Sequence, residues 1–164
     1  MQYTTTIRVI TGLLIIALVA SAVGTSIPPG FVLIIEDIET EETYIRQPLA
    51  NGTTVGIEYT HSVEKTRVYD EYRVSGQQLI NTRMEFESYG WGLPATVNVT
   101  NRNGTFVYDP SDPIMTMSEL FLSPGRIANH TLIVNNERYN LVMQTNANDV
   151  RIHIERQSPM ERVI

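Results

Sequence analysis

The chain has 164 residues, of which 42% are hydrophobic and 18% charged, a composition typical of a folded domain rather than a disordered chain. Its formal net charge is -6, and no basic patch is dense enough to follow a phosphate backbone, so nucleic acid is not expected as a partner. The chain contains no cysteine, which excludes disulfides, thiolate metal sites and a cysteine nucleophile.

The first element is an apolar leader. Arg8 precedes an uncharged run at residues 9–23, and acidic residues follow it, so the positive flank is expected to stay inside and the rest to be exported. The run is short for a membrane span and matches a signal-peptide core, but with residues 24–27 it is long enough for an anchor. Residues 1–27 are therefore predicted to be a signal peptide or a single-pass membrane anchor, and residues 28–164 one extracytoplasmic domain.

After the leader, short apolar runs alternate with turn residues. Residues 31–35 form a continuous β-branched run, which is typical of a buried strand. One short helix is predicted over residues 116–122. Tight turns are predicted at Asn51-Gly52, Asn103-Gly104 and Asn135-Asn136. Further strands are predicted over residues 43–47, 54–59, 67–74, 79–86, 95–99, 105–108, 130–134, 138–144 and 150–154. This spacing predicts an all-β fold, a single antiparallel sandwich or barrel-like domain after an N-terminal hydrophobic helix.

Four Asn-x-Ser/Thr triplets fit the acceptor pattern for N-linked glycans. Two of them lie in predicted turns, where an acceptor in an exported chain would be accessible. The alternative is that these asparagines serve turn chemistry alone. The acceptors are Asn51, Asn98, Asn103 and Asn129.

His61 is the first candidate for a functional side chain. Alternate residues of a strand share a face, so His61 is expected beside Ile57 and Tyr59 on an apolar face. One interpretation is a half-buried histidine whose ring nitrogens are satisfied by neighbours. The other is a ligand-facing histidine at the mouth of the sheet, with Glu64 and Lys65 in the turn that follows.

The next strand carries adjacent carboxylates. Asp70 and Glu71 point to opposite faces, and Asp70 is expected on the core side, between apolar neighbours. Glu71 is then expected to be mostly solvated. If Glu71 meets Arg83 or His61, the group becomes a charge-assisted network.

Tests for catalysis give little support for an enzyme. The three histidines lie on distant segments without ligand-type spacing, so no metal site is predicted. No serine lies in a nucleophile elbow, and no glycine-rich phosphate cradle is present, so no catalytic residue and no cofactor are predicted. A hydrolase using His61 with Glu71 stays as an alternative.

The loop at residues 88–94 combines flexible and aromatic residues. Gly90 and Gly92 permit backbone conformations closed to other residues. Trp91 stands between them and is the only tryptophan of the chain. One interpretation is a tight corner covered by aromatics, and the other is a recognition loop in which Trp91 offers a flat apolar surface.

The motif Tyr59-Thr60-His61-Ser62-Val63-Glu64-Lys65, followed by Glu71, Phe86, Ser88 and Gly90-Trp91-Gly92-Leu93-Pro94, resembles the signature of a small exported family known as domain of unknown function eighteen-fifty. The match covers roughly residues 55–94. The family usually has a phenylalanine and a small residue where this chain has Tyr89 and Trp91.

Members of that family tend to be encoded beside tripartite solute transporters of the TAXI branch. The resemblance therefore implies a non-enzymatic accessory or binding protein, secreted or tethered through its N-terminal segment at the outer face of the cytoplasmic membrane. Its partner would be a permease or a solute receptor. The alternative is a free-standing cell-envelope solute-binding domain. The predicted contact residues are His61, Glu64, Lys65, Glu71, Ser88 and Trp91.

Overall fold

Two antiparallel β-sheets, packed face to face, make up the part of the chain that the computed structural model describes, namely residues 30–90, 93 and 97–157. The all-β prediction is confirmed. The predicted leader at residues 1–27 lies outside the described residues. Within the described residues, none of the helical segments has the length and apolar character required to span a bilayer.

In the described part of the chain, twelve strands and one short helix follow each other. The strands of the first half are β1 (Phe31–Asp37), β2 (Thr43–Leu49), β3 (Thr54–Thr60), β4 (Arg67–Ser75), β5 (Gln78–Phe86) and β6 (Thr100–Arg102). Those of the second half are β7 (Thr105–Tyr108), β8 (Met115–Met117), β9 (Glu119–Leu122), β10 (Thr131–Val134), β11 (Glu137–Asn140) and β12 (Val150–Arg156). The helix α1 (Leu141–Gln144) lies between β11 and β12.

The smaller sheet has four strands in the order β2-β1-β12-β9. The larger has eight, in the order β11-β10-β3-β4-β5-β7-β6, with β8 beside β5. The β10–β11 turn has the backbone conformation that its asparagines favour. Asn135 and Asn136 both have positive φ, 51° and 66°, as a two-residue hairpin turn requires. A bulge in β5 shifts its register with β4 by one residue, since Tyr72 is opposite Asn81 but Glu71 is opposite Arg83. As a result, the inward-facing residue that follows Asn81 in β5 is Met84.

The apolar residues form two cores rather than one. The main core lies between the sheets and is built from residues such as Leu33, Ile152 and Leu132, none of which is measurably exposed. A smaller core of Val68, Phe86 and Leu93 lies at one end of the larger sheet. Tyr59 packs against both cores and therefore marks their boundary.

The sandwich has two distinct ends. At the entry end, the Gln157 amide donates to the Gly30 carbonyl (2.9 Å). The start of β1 and the end of β12 therefore lie side by side there. The Asn135 side chain, in the β10–β11 turn, contacts Pro48 at this end. The opposite end, the loop end, carries the connections at residues 38–42, 61–66, 87–90, 103–104, 123–130 and 141–149.

Three predicted elements differ from the structure. The prediction of a helix over residues 116–122 is wrong, because β8 pairs with β5 and β9 pairs with β12. The strand predicted over 138–144 ends at Asn140, whose side chain accepts from the Met143 amide and caps α1. Of the strand predicted over 95–99, the described residues 97–99 are not in a strand, and β6 begins at Thr100.

Candidate functional site

The connection between β3 and β4 is closed by the backbone of His61. The His61 amide donates to the Thr66 carbonyl (2.8 Å), and the Lys65 amide donates back to the His61 carbonyl (2.9 Å). Lys65 adopts a positive φ of 57°, which reverses the chain direction here. These two hydrogen bonds fix residues 61–66 as a compact turn at the loop end of the larger sheet.

The imidazole of His61 holds the same turn from inside. Its Nδ1 accepts from the backbone amides of Glu64 (3.1 Å) and Val63 (3.3 Å), as an Asn or Asp side chain does in an Asx turn. Because Nδ1 accepts, the neutral ring carries its proton on Nε2. The side chain is buried, with 7% of the residue exposed. Its location combines features of both sequence interpretations, since His61 is satisfied by neighbours and lies directly beneath exposed loop residues.

Gly90 brings the second predicted segment onto this ring. A β-carbon added at Gly90 would lie 2.9 Å from Cε1 and Nε2 of His61 and 3.0 Å from Cγ of Glu64. Beside it, the hydroxyls of Ser88 and Thr66 are hydrogen-bonded at 2.9 Å. The two loops therefore meet in one place, and residues 61–66 together with 87–90 are called the junction below.

The junction presents mixed chemistry to solvent. Val63 is 69% exposed and Tyr89 46% exposed, and Glu64 and Lys65 are exposed as well. The Lys65 ammonium donates to the Ser62 carbonyl and so stays over the turn. The ring of Tyr89 is anchored from below by Phe106, with centroids 4.7 Å apart. Trp91 lies outside the described residues.

Glu71 is not part of the junction. Its carboxylate lies on the outward face of β4 and accepts from the Thr82 hydroxyl (3.3 Å). Arg83 stands opposite in register but forms its ion pair with Glu85, at 2.5 Å. The structure therefore assembles neither the Glu71–Arg83 network nor the His61–Glu71 pair that the hydrolase alternative needs.

A polar seam of buried and half-buried side chains was not predicted as a group; it consists of Tyr59, Asp70, Tyr72, Asn81 and His130. All five side chains lie on the inward side of the larger sheet, at the boundary of the two cores. Alternation along β4 does place Asp70 on the core side, and that was the available signal. Asn81 faces inward with Leu79, two residues before it, and the bulge that follows brings Met84 and Phe86 to the same face.

Several polar atoms of the seam lack hydrogen-bond partners, and burial shifts the pKa of its titratable side chains. Buried Oδ1 of Asp70, Oδ1 of Asn81 and Nδ1 of His130 have no protein hydrogen-bond partner. Burial raises the pKa of Asp70 to about 6 and lowers the pKa of His130. Burial, together with the nearby Asp70 charge, raises the pKa of Tyr59 to about 12. The seam is thus a polar layer held inside the domain at an energetic cost.

The four asparagines that fit the glycan acceptor pattern all lie on exposed positions of the described chain. Asn103 adopts a positive φ of 54° in its turn, and the Asn51 side chain accepts from the Gly76 amide (2.7 Å). Turn chemistry therefore accounts for these two, and glycosylation stays a prediction.

Within residues 30–90, 93 and 97–157, no three His, Asp or Glu side chains converge in a way that could hold a metal ion.

Fold and junction together define an antiparallel β-sandwich domain in which a histidine-closed hairpin and a glycine-containing loop meet at one end. The chain belongs to the family described as "Domain of unknown function (DUF1850)", whose model matches residues 55–141. This range runs from β3 to the first residue of α1 and contains the whole junction, so the family resemblance is confirmed. No curated protein and no solved structure matches the chain.

Proposed function

We propose that this protein is an exported, membrane-tethered accessory domain that binds a component of a TAXI-type tripartite solute transporter through the junction. The permease and the solute receptor are the two candidate partners. The observation that carries the proposal is the contact of Gly90 with the His61 ring, because it unites the two family motifs in one rigid surface. A binding surface that is ordered before the partner arrives loses less conformational entropy on association.

The composition of the junction supports a protein contact. Exposed Val63 and Tyr89 supply apolar area, and exposed Glu64 and Lys65 supply charges of both signs. Protein–protein interfaces combine apolar area of this kind with polar and charged groups. The buried imidazole would hold this surface in shape rather than contact the partner directly.

The test is co-purification of the tagged full-length chain from its native membranes, with transporter components quantified by mass spectrometry. Gly90→Ala is the informative variant, since the new methyl group would displace the His61 ring or the loop. Gln78→Ala is the control, because Gln78 is exposed at the entry end, away from the junction. Gly90 does not need a positive φ, so alanine adds only the methyl group.

We expect Gly90→Ala to reduce the recovered permease or receptor about tenfold while circular dichroism stays unchanged, and Gln78→Ala to match the wild type. Recovery of no transporter component by the wild-type chain would refute the proposal. Equal recovery by Gly90→Ala and Gln78→Ala would show that the contact lies elsewhere on the domain.

A further inference from the structure

The exposed apolar side chains of the domain are concentrated at the loop end. Among the described residues, eight large hydrophobic side chains are exposed. Five of them belong to loop-end connections: Ile38, Val63, Tyr89, Ile127 and Met143. Exposed apolar side chains scattered singly need no explanation, but a group at one end of a sandwich is typical of an interaction surface.

The loops that carry these side chains are bonded to one another. The Thr60 amide donates to the Ala128 carbonyl (2.8 Å), which ties the 123–130 loop to the end of β3 beside His61. The Arg126 guanidinium donates to the Asn146 side chain (3.3 Å). The Asn148 side chain in turn donates to Asp37 (3.0 Å), at the start of the 38–42 turn. The loop end is therefore one connected surface that is larger than the junction.

The charge of this surface is unbalanced. Its exposed carboxylates are Glu39, Glu41, Glu42, Glu64, Glu87 and Asp149. Its exposed basic residues are Lys65 and Arg126. A surface with apolar tips and an acidic rim is repelled by anionic lipid headgroups and complements an apolar protein surface with a basic rim.

The loop end also lies far from the point where the chain enters the domain. Gly30 is at the entry end, and β1 runs from there towards the loop end over 7 residues. At 3.3 Å per residue that strand spans roughly 23 Å. A tether that precedes residue 30 would therefore hold the loop end away from the bilayer.

On the basis of the proposed tethering and accessory role, we infer that the whole loop end is the docking surface for an extracytoplasmic protein partner with an apolar, basic-rimmed face that stands clear of the membrane. This assigns the contact to a soluble partner domain rather than to membrane-embedded segments. It also extends the contact from the junction to the tips Ile127 and Met143.

The test is site-specific photo-cross-linking of the full-length chain in its native membranes. The photoreactive residue is placed at Ile127 or Met143 at the loop end, and at Gln77 or Gln78 at the entry end. We expect both loop-end positions to link one and the same extracytoplasmic protein, at a yield at least about tenfold above the entry-end positions.

The same experiment tests whether the acidic rim contributes to docking. The double variant Glu39→Lys, Glu42→Lys is expected to lower the loop-end cross-link about fivefold, since rim charges mainly change the association rate. Asp112→Lys reverses an exposed charge outside the loop end and is expected to leave the yield unchanged.

Cross-links to lipid or to a second copy of the chain, or an unchanged yield in the double variant, would overturn the inference. Protein cross-links confined to the entry-end positions would overturn it as well, while leaving the accessory role standing. Absence of any protein cross-link at all four positions would overturn the proposed function together with the inference.

Discussion

The ring of Tyr59 stacks on the imidazole of His130, with centroids 5.0 Å apart and planes inclined by 25°. Tyr59 belongs to β3, and His130 ends the 123–130 loop. The stack therefore joins the larger sheet to a loop-end connection, next to the junction. Because His130 is buried with an unpartnered Nδ1, the charge on this ring matters for stability.

His130→Phe keeps an aromatic ring in the stack and removes the titration. Burial lowers the pKa of His130 below its ordinary 6.5, so the unfolded chain binds a proton more readily than the fold. The stability from this neutral ring is present above pH 6.5 and is lost as the pH falls through the folded-state pKa. We expect urea unfolding at pH 7 and pH 5 to show a smaller acid loss in His130→Phe than in the wild type. Equal losses would contradict this account.

Asp70→Asn tests the other buried group of the seam, and its pH dependence has the opposite sign. The pKa of Asp70 rises from 3.8 to about 6, so the fold holds the proton more tightly than the unfolded chain. That stability is complete below pH 3.8 and is lost as the pH rises through about 6. We expect Asp70→Asn to be more stable than the wild type by about 2 kcal/mol at pH 8 and nearly equal to it at pH 4.

The control for that measurement is Asp112→Asn, an exposed carboxylate outside the seam. It should leave the free energy of unfolding unchanged at both pH values. A variant of Asp70 that is destabilised at pH 8 as much as at pH 4 would show that the carboxylate has a partner that the structure does not reveal.

Gly56→Ala probes the outward face of the larger sheet. A β-carbon there would lie 2.5 Å from the ring of Tyr69, which covers the glycine from the neighbouring strand. We expect a loss of about 1–3 kcal/mol from overpacking. In a Tyr69→Ala background the same change should be neutral or stabilising, because alanine is favoured over glycine in a strand. Additive effects in the double-mutant cycle would argue against the contact.

His61→Asn and His61→Ala separate the two roles of the junction histidine. Both remove the ring that packs against Gly90, but asparagine can still accept from the amides of Val63 and Glu64. We expect His61→Asn to be more stable than His61→Ala by about 1 kcal/mol in urea unfolding. Equal stability of the two variants would show that the amide hydrogen bonds contribute little.

Local patterns were sufficient to predict most of the fold. Alternation and Asn-Gly turns located β3, β4, β5 and β7, because each of these strands has one face in the core. The helix prediction for residues 116–122 failed because β8 and β9 are short edge strands, and hydrogen bonds to β5 and β12 decide their conformation. Such long-range pairing overrides local helix preference and leaves little trace in a seven-residue window.

The candidate site was predictable only in part. The spacing of His61 and Gly90 in the family motif marked both as special, but their mutual contact depends on the β3–β4–β5 register. Glu71 was expected to be mostly solvated unless it met Arg83 or His61. It pairs with neither, since Arg83, although opposite in register, forms its ion pair with Glu85. The unpaired state of Asp70 could not be foreseen, because burial on a core face does not reveal which donors are in reach.

The hydrogen bond between Gly30 and Gln157 has a mechanical consequence. Both residues sit at the same edge of the antiparallel pair β1 and β12, which continues inward from Phe31 opposite Arg156. A force that pulls these two points apart would open the pair one rung at a time from its outer end, instead of loading all rungs together as in shear. The domain would therefore resist tension weakly along this direction. A load that reaches the domain through residue 30 alone would leave the β1–β12 hydrogen bonds unstretched.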